Sequence, residues 1–279
     1  MMRGAMVLFA AGALFAAGNA AYVPEMQKWR ADREASLRKP DGWLSVAGLF
    51  WLHEGANVVG SDAQSDVVLP AGSPKRAGVL RYEAGKVMFE PAAGAKVAMK
   101  PDDPGPPDVA HIGDVSFTII NRGGKMGARL RDPNAATRRN FTGCQWFPIA
   151  ESWRVRAKWV AYPEPKKIAI TNILGMTDEE PSPGYAEFAI NGRTLRLEPV
   201  AEDDDLFFMF KDTTSGRTTY GAGRFLYADK PKDGTVELDF NKAENPPCAF
   251  TAFATCPLPP KQNALPLAVE AGEKTYGHH

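Results

Sequence analysis

The sequence predicts a mainly β protein, built as an antiparallel sandwich or open barrel with one N-terminal helix. Three observations lead to this fold class. Many short segments alternate apolar and polar residues, 26 glycines and 23 prolines separate them, and one segment beyond residue 20 has helical spacing. Hydrophobic residues make up 44% of the chain and charged residues 24%, values that belong to a folded globular protein and exclude a disordered segment or a fibre.

The first 20 residues have the composition of a bacterial-type signal peptide. Arg3 precedes an apolar stretch, and the small residues Gly18 and Ala20 form a cleavage site. The apolar stretch is too short to span a bilayer comfortably, so an uncleaved anchor is the less favoured alternative. We therefore expect a mature chain that begins near Ala21, is periplasmic or secreted, and has no membrane span once the signal is removed.

The next segment, residues 24–38, is predicted to form the helix. Pro24 suits the first turn of a helix, and Met26, Trp29 and Leu37 fall roughly on one face. From Trp43 onward the apolar period changes from helical spacing to two, which is the period of strands.

Hairpins follow in both halves of the chain. Residues 79–91 and 115–132 each predict two strands around a glycine turn, and the proline-rich stretch 100–108 predicts a surface loop. In the second half, Asn191-Gly192 predicts a two-residue turn that pairs Phe188 with Leu195 and Ala186 with Leu197. Further strands are predicted at 153–161, 206–210, 219–228, 235–240 and 266–271. We assign residues 21–279 to a single domain and leave open a division into two sub-lobes, at about 40–135 and 136–276.

Charge and motif content argue against several ligand classes. The 33 basic and 33 acidic residues give a net charge of zero, so we expect no nucleic-acid partner. No cofactor is expected, because the glycines of 221–223 lie in a strand pattern without the helix that a dinucleotide site requires. No metal is expected either, since the acidic triplet Asp203-Asp204-Asp205 is more typical of a solvated loop than of a calcium site.

The three cysteines predict one disulfide. Cys248 and Cys256 are eight positions apart, and Cys144 stands alone. A straight strand would separate the first two Cα atoms by about 26 Å, whereas a disulfide requires them within about 7 Å. Prolines on both sides favour a compact loop. We therefore predict that residues 249–255 fold back and that the exported protein carries a Cys248–Cys256 disulfide with Cys144 free. Two reduced, packed cysteines are the alternative.

Residues 212–276 carry an unusual density of special residues. The shared features are Asp212 followed by Thr-Ser-Gly, Tyr220-Gly221-Ala222-Gly223-Arg224, Leu238-Asp239-Phe240-Asn241, Asn245-Pro246-Pro247-Cys248-Ala249-Phe250, Cys256-Pro257-Leu258-Pro259-Pro260, Asn263 and Ala271-Gly272-Glu273-Lys274. This pattern closely resembles the bacterial domain-of-unknown-function family 1684 (DUF1684), and the opening segment 40–55 fits the same family. The resemblance implies a compact β-rich protein and no established activity. One departure is Ala243-Glu244-Asn245, where the family usually has an aromatic residue before the Asn.

The same region supplies the candidate site residues Asp212, Tyr220, Arg224, Asn245 and Cys248. Asp212 and Arg224 can form an ion pair that fixes a hairpin, and Asn245 is oriented by the prolines after it. No nucleophile elbow is present, and a dyad of a cysteine with His53 or His111 is a minor alternative.

Two functions fit these observations. We favour an exported binding or structural module for a small molecule, glycan or peptide. The alternative is a hydrolase-like enzyme with its site in the C-terminal motif region. Convergence of the five candidate side chains in one cleft would favour the enzyme, and dispersal among turns and ion pairs would favour the module.

Overall fold

Strands make up most of the regular structure, as the sequence predicts. A computed structural model describes residues 11–202 and 204–277, with side chains described from residue 20 onward. The fold is mainly β and almost entirely antiparallel, with an N-terminal helix, so the predicted fold class is confirmed. The strands are, in chain order, β1 (Val46–Trp51), β2 (Gly55–Gly60), β3 (Val67–Val68), β4 (Gly78–Glu83), β5 (Lys86–Pro91), β6 (Val97–Met99), β7 (Val109–Ile112), β8 (Val115–Arg122), β9 (Lys125–Arg131), β10 (Arg154–Thr171), β11 (Thr177–Ile190), β12 (Arg193–Leu197), β13 (Val200–Ala201), β14 (Asp205–Phe210), β15 (Arg224–Asp229) and β16 (Thr235–Asp239).

The N-terminal helix is longer than predicted. Helix α1 (Ala11–Leu37) ends within one residue of the expected position but begins well before Pro24, which lies inside it. The predicted start at Pro24 is wrong, because the alanine-rich sequence before it favours helix strongly enough to continue past the missing proline N–H. Met26 and Leu37 are buried as expected. In the described part of the chain no helix is both long and apolar enough to cross a membrane.

Some predicted features fall on residues that are not described. Residues 1–10 of the predicted signal peptide, Asp203 of the acidic triplet, and the terminal His278 and His279 lie outside the described residues. A second short helix, α2 (Ala136–Arg139), and five single turns of 3-10 helix complete the regular structure of the described chain. These turns are Trp43–Ser45, Glu151–Trp153, Phe240–Lys242, Pro247–Ala249 and Lys261–Asn263.

The first half of the chain forms one sandwich. A sheet in the order β3-β2-β4-β5-β6 packs against a sheet in the order β1-β9-β8-β7. Phe89 and Phe117 meet edge to face in the core between them, with ring centroids 5.1 Å apart. The predicted hairpins are confirmed as β4–β5 and β8–β9. At the first of these, Ala84 and Gly85 both have positive φ, as a tight two-residue turn requires.

The second half forms another sandwich. A sheet in the order β12-β11-β10-β16 packs against the sheet β13-β14-β15, and the core between them contains Phe208, Phe210 and Phe240. The predicted Asn191-Gly192 hairpin joins β11 to β12. It has the expected register, with Phe188 opposite Leu195 and Ala186 opposite Leu197.

Two predicted strands are shorter than expected or absent. The strand expected at 219–228 begins only at Arg224, and residues 266–271 form no strand. The carbonyls of Val269 and Ala271 accept hydrogen bonds from the Arg224 guanidinium, so they are satisfied by a side chain instead of by a neighbouring strand. Just before Arg224, Gly223 has a φ of +109°, a backbone conformation that favours glycine.

A third apolar layer covers the outer face of the β14–β15 sheet. It includes Ile168 and Ile170 from the long strand β10, Phe207 and Phe225 from the sheet, and Cys256 from the C-terminal loop. This layer lies beside the β8–β9 end of the first sandwich, and a cavity lined by residues of both sandwiches opens there.

Candidate functional site

Asp212 and Arg224, two of the five predicted site residues, form a buried ion pair. Arg224 Nη2 donates to Asp212 Oδ2 at 2.6 Å, and the two side chains are 1% and 0% exposed. The same guanidinium donates to the carbonyls of Val269 (2.8 Å) and Ala271. Asp212 Oδ1 accepts from the Thr214 amide at 2.6 Å. The pair ties together both ends of the 211–223 loop, between β14 and β15, and its role is structural.

The cysteine pair lies in a neighbouring part of the C-terminal loop. The chain folds back after Cys248, as predicted, and the Cys248 amide donates to Cys256 Sγ at 3.2 Å. The Tyr220 hydroxyl donates to the Cys248 carbonyl at 3.0 Å. All three cysteines are free thiols in this structure, so it does not show the predicted disulfide. Because the two thiols share a hydrogen bond, the pKa of Cys248 is lowered and that of Cys256 is raised.

Asn245 is held by backbone groups and charged side chains. The Asn245 backbone N–H donates to Glu273 Oε2 at 2.8 Å, and the side-chain Nδ2 donates to the Lys274 carbonyl at 2.7 Å. The Asn245 carbonyl accepts from Arg33 Nη2 at 2.9 Å. The side chain therefore fastens the C-terminal segment to the turn that precedes Cys248, while its buried Oδ1 lacks a hydrogen-bond partner among the described residues.

The five predicted site residues are therefore dispersed. Asp212 and Arg224 close one loop, Tyr220 and Cys248 stabilise another, and Asn245 anchors the C-terminal segment. None of them lines the cavity between the two sandwiches. The minor alternative of a cysteine–histidine dyad has no support either: His53 bonds the Glu54 carbonyl and pairs with Asp66 at the surface, and His111 is exposed on strand β7.

The cavity itself has a volume of about 420 Å³ and is lined by residues from several parts of the fold. The β8–β9 hairpin contributes Arg122 and Arg129, the β14–β15 hairpin contributes an aromatic wall, helix α1 contributes Arg33, and the C-terminal loop contributes Thr255 and Cys256. A volume of this size is in the usual range for small-molecule sites.

Arg129 is the most unusual group in the cavity wall. It is 5% exposed, yet no carboxylate of the described residues lies within ion-pair distance of it. Its Nη2 donates to Thr255 Oγ1 at 3.1 Å, its Nε is buried with no partner among the described residues, and its guanidinium lies 5.2 Å from the centroid of the Trp43 ring. Burial, together with the neighbouring Arg122, lowers the pKa of Arg129 to about 10.

The other two arginines of the wall have acidic partners. Arg122 makes two hydrogen bonds to Asp102, at 2.9 and 2.8 Å, and its Nε donates to Thr255 Oγ1 at 2.9 Å. The Thr255 hydroxyl thus accepts from both Arg122 and Arg129. Arg33 Nε lies 3.1 Å from carboxylate oxygens of both Glu244 and Glu273.

Glu244 brings a titratable acid to the same wall. Burial raises its pKa to about 7, with the nearby Glu273 acting in the same direction and Arg33 acting against it. Glu244 belongs to the tripeptide where the sequence departs from the family pattern. The departure therefore falls on a side chain that lines the cavity.

The aromatic wall consists of three stacked or crossed rings. Phe207 and Tyr227 are stacked with centroids 4.9 Å apart and planes at 15°, and Phe225 meets Phe207 edge to face. Tyr227 lines the cavity and is 42% exposed, so part of its ring is accessible to a bound molecule.

Sequence reasoning missed the cavity residues Arg33, Arg129, Tyr227 and Thr255. The only local signal was in β9, where Arg129 shares a face with Gly127 and Arg131 opposite the buried Ala128 and Leu130. Such alternation is typical of a solvent-facing strand. Among the described residues, no group of three or more His, Cys, Asp or Glu side chains is arranged to hold a metal ion.

The fold and the cavity define a class of protein: two packed β-sandwiches with a buried cation between them. The family model for proteins of unknown function called DUF1684 matches residues 139–274, and the chain belongs to this family. The match does not include the opening segment 40–55. Among solved structures, the chain is similar to an uncharacterized protein of Haloarcula marismortui. The identity is 31%, the alignment covers 50% of this chain and 79% of that one, and the TM-score is 0.42. No curated protein matches.

Proposed function

We propose that the protein is an exported binding module that holds a small anionic molecule in the cavity between its two sandwiches. The observation that carries this proposal is Arg129, a buried guanidinium that lines the cavity without a carboxylate partner among the described residues. Burying a charge costs free energy unless an opposite charge and hydrogen bonds compensate it. A ligand carboxylate or phosphate oxygen would supply both, and a guanidinium is well shaped to bind either group.

The dispersal of the five candidate residues supports a module over a hydrolase. Asp212, Arg224 and Asn245 form hydrogen bonds with backbone groups and with buried charged side chains. None of the three lines the cavity. They therefore account for the rigidity of the C-terminal region without requiring catalysis.

Binding is tested by titrating the mature protein with acetate, succinate, inorganic phosphate and phenylacetate. At least one of these anions is expected to raise the melting temperature of the wild type and to give saturable heat in calorimetry. Arg129→Met is expected to abolish the effect, and Arg76→Met, at an exposed arginine of the first sandwich, is expected to retain it. Absence of any response, or equal responses in Arg129→Met and the wild type, would contradict the proposal.

The hydrolase alternative has one observation in its favour. Glu244 lines the cavity with a pKa of about 7, which is suitable for a general acid or base at neutral pH. Turnover of a simple ester such as p-nitrophenyl acetate, lost in Glu244→Gln and retained in the exposed control Glu164→Gln, would establish it. Equal background rates in all three proteins would exclude Glu244-dependent ester hydrolysis.

Export to an oxidising compartment is part of the same proposal. The composition of residues 1–20 supports cleavage near Ala21, and mass spectrometry of the exported product tests it, since an intact Met1 would contradict cleavage. The contact between the Cys248 amide and Cys256 Sγ supports a disulfide between these residues after export. Thiol titration of the denatured, unreduced protein should then find one free thiol, that of Cys144, whereas three would contradict the bridge.

A further inference from the structure

We infer that the molecule held in the cavity is an aromatic monocarboxylate, with its carboxylate at Arg129 and its ring against Tyr227. The inference rests on the proposed anion-binding function and names the ligand class of the same site. Two independent features of the cavity wall carry it: an arginine without an ion pair among the described residues and an accessible aromatic ring.

The ion pairs of the wall leave one of its arginines without a carboxylate among the described residues. Arg33 is paired with two glutamates and Arg122 is paired with Asp102. Arg129 is the lining arginine without an ion pair among the described residues. One ligand carboxylate at Arg129 would therefore supply the ion pair that this guanidinium lacks.

A doubly charged ligand fits this wall less well. Its second charge would find no second arginine without an ion pair among the described lining residues, and it would lie near Glu202 and Glu244, which also line the cavity. Like charges in a partly buried site repel more strongly than in water, because the surroundings screen them less. A phosphate monoester, which carries nearly two charges at neutral pH, is therefore disfavoured relative to a carboxylate.

The aromatic wall supplies the second half of the recognition. Tyr227 is backed by the nearly parallel ring of Phe207, and Phe225 fixes Phe207 from its edge. Because these contacts hold the Tyr227 ring in place, a ligand ring can pack on its accessible part with little further loss of conformational freedom. Trp43, which also lines the cavity, lies against the Arg129 guanidinium, so the anion and the ring each have a preorganised partner.

The experiment compares five probes by isothermal titration calorimetry at pH 7.5: phenylacetate, acetate, cyclohexylacetate, phenyl phosphate and inorganic phosphate. Phenylacetate is expected to bind about tenfold or more tightly than each of the others, which corresponds to about 1.4 kcal/mol. Acetate lacks the ring, cyclohexylacetate has an aliphatic ring of similar size, and the two phosphates carry the additional charge.

Matched variants test which residue binds the ring of the ligand and which binds its carboxylate. Tyr227→Leu is expected to weaken phenylacetate binding by about fivefold while leaving acetate unchanged, whereas Tyr227→Phe, which keeps the ring, retains wild-type affinity. Tyr227→Phe keeps the stacking on Phe207, so it controls for any change in packing that Tyr227→Leu causes. Arg129→Met is expected to remove binding of phenylacetate altogether.

The outcomes separate this inference from the proposed function. Arg129-dependent binding of either phosphate as tightly as phenylacetate would overturn the monocarboxylate but keep the anion site. Equal affinity for cyclohexylacetate and phenylacetate, or no effect of Tyr227→Leu, would overturn the aromatic ring. No Arg129-dependent binding of any probe would overturn both.

Discussion

The loop behind Arg224 and the cavity around Arg129 each bury an arginine, and their surroundings differ in one respect. Arg224 is 1% exposed and faces Asp212, which is itself buried, together with two backbone carbonyls. Arg129 is 5% exposed and has only the Thr255 hydroxyl and the Trp43 ring as described partners. In both side chains the Nε is buried without a partner in the described part of the structure.

The difference separates a structural charge from a charge available to a ligand. Removing one member of a compensated buried pair leaves the other charge stranded, which is costly. Removing a cation that lacks a compensating anion relieves a desolvation cost, and this relief offsets the stabilisation that its hydrogen bond and ring packing had provided. The two arginines should therefore respond in different ways to the same substitution.

The largest effect is expected from Arg224→Met. This substitution leaves the Asp212 carboxylate and the carbonyls of Val269 and Ala271 without their partner. The free energy of unfolding should fall by about 3–5 kcal/mol, measured by urea denaturation. The double variant Asp212→Leu/Arg224→Met should recover part of that loss, since no stranded charge remains. A loss below about 1 kcal/mol in the single variant would show that the pair is not compensated as described.

The next largest effect concerns pH and Glu244. The pKa of Glu244 is raised from 4.5 to about 7 in the folded protein, chiefly by burial. The folded state therefore binds this proton more tightly than the unfolded state does. The resulting stability is fully present below about pH 4.5 and is lost as the pH rises to 7.

A pKa shift of this size corresponds to a change of about 3 kcal/mol at most in the free energy of unfolding. Glu244→Gln should flatten the fall in stability between these two pH values, and the exposed control Glu164→Gln should not. The pKa of Glu273 is raised as well, so part of the slope should persist in Glu244→Gln. Denaturation curves at intervals across this range provide the measurement, and identical slopes in the wild type and Glu244→Gln would contradict the raised pKa.

The smallest effect is expected from Arg129→Met. The variant loses a hydrogen bond to Thr255 and the packing against Trp43 but also removes a buried cation. Its free energy of unfolding should stay within about 1 kcal/mol of the wild type, while anion binding is abolished. Measuring the unfolding free energies of Arg129→Met and Arg224→Met in the same denaturant series compares the two buried arginines directly. A loss as large as that of Arg224→Met would mean that Arg129 has a structural role too.

The sequence predicted the features that depend on neighbouring residues. The Asn191-Gly192 turn and its register follow from two flanking apolar patterns, and the Asp212–Arg224 pair spans a single loop. The cavity could not be predicted in this way, because Arg129, Tyr227 and Arg33 come from three distant elements. Residues 266–271 were mistaken for a strand because their carbonyls bond a side chain, Arg224, that no local pattern links to them.

The docking of helix α1 has a consequence for the order of folding. The Tyr22 hydroxyl donates to Asp239 at 2.8 Å across 217 residues of sequence, and Arg33 bonds Glu273 across 240. Contacts between residues so far apart in sequence close very long loops and form slowly. A ribosome adding 5–20 residues per second needs roughly 10–40 s to make the chain between Tyr22 and Asp239. During that interval the helix can contact the segment around Cys144 and Trp146, to which Glu34 bonds, but not the C-terminal region. The two ends of the protein therefore join only after the chain is nearly complete.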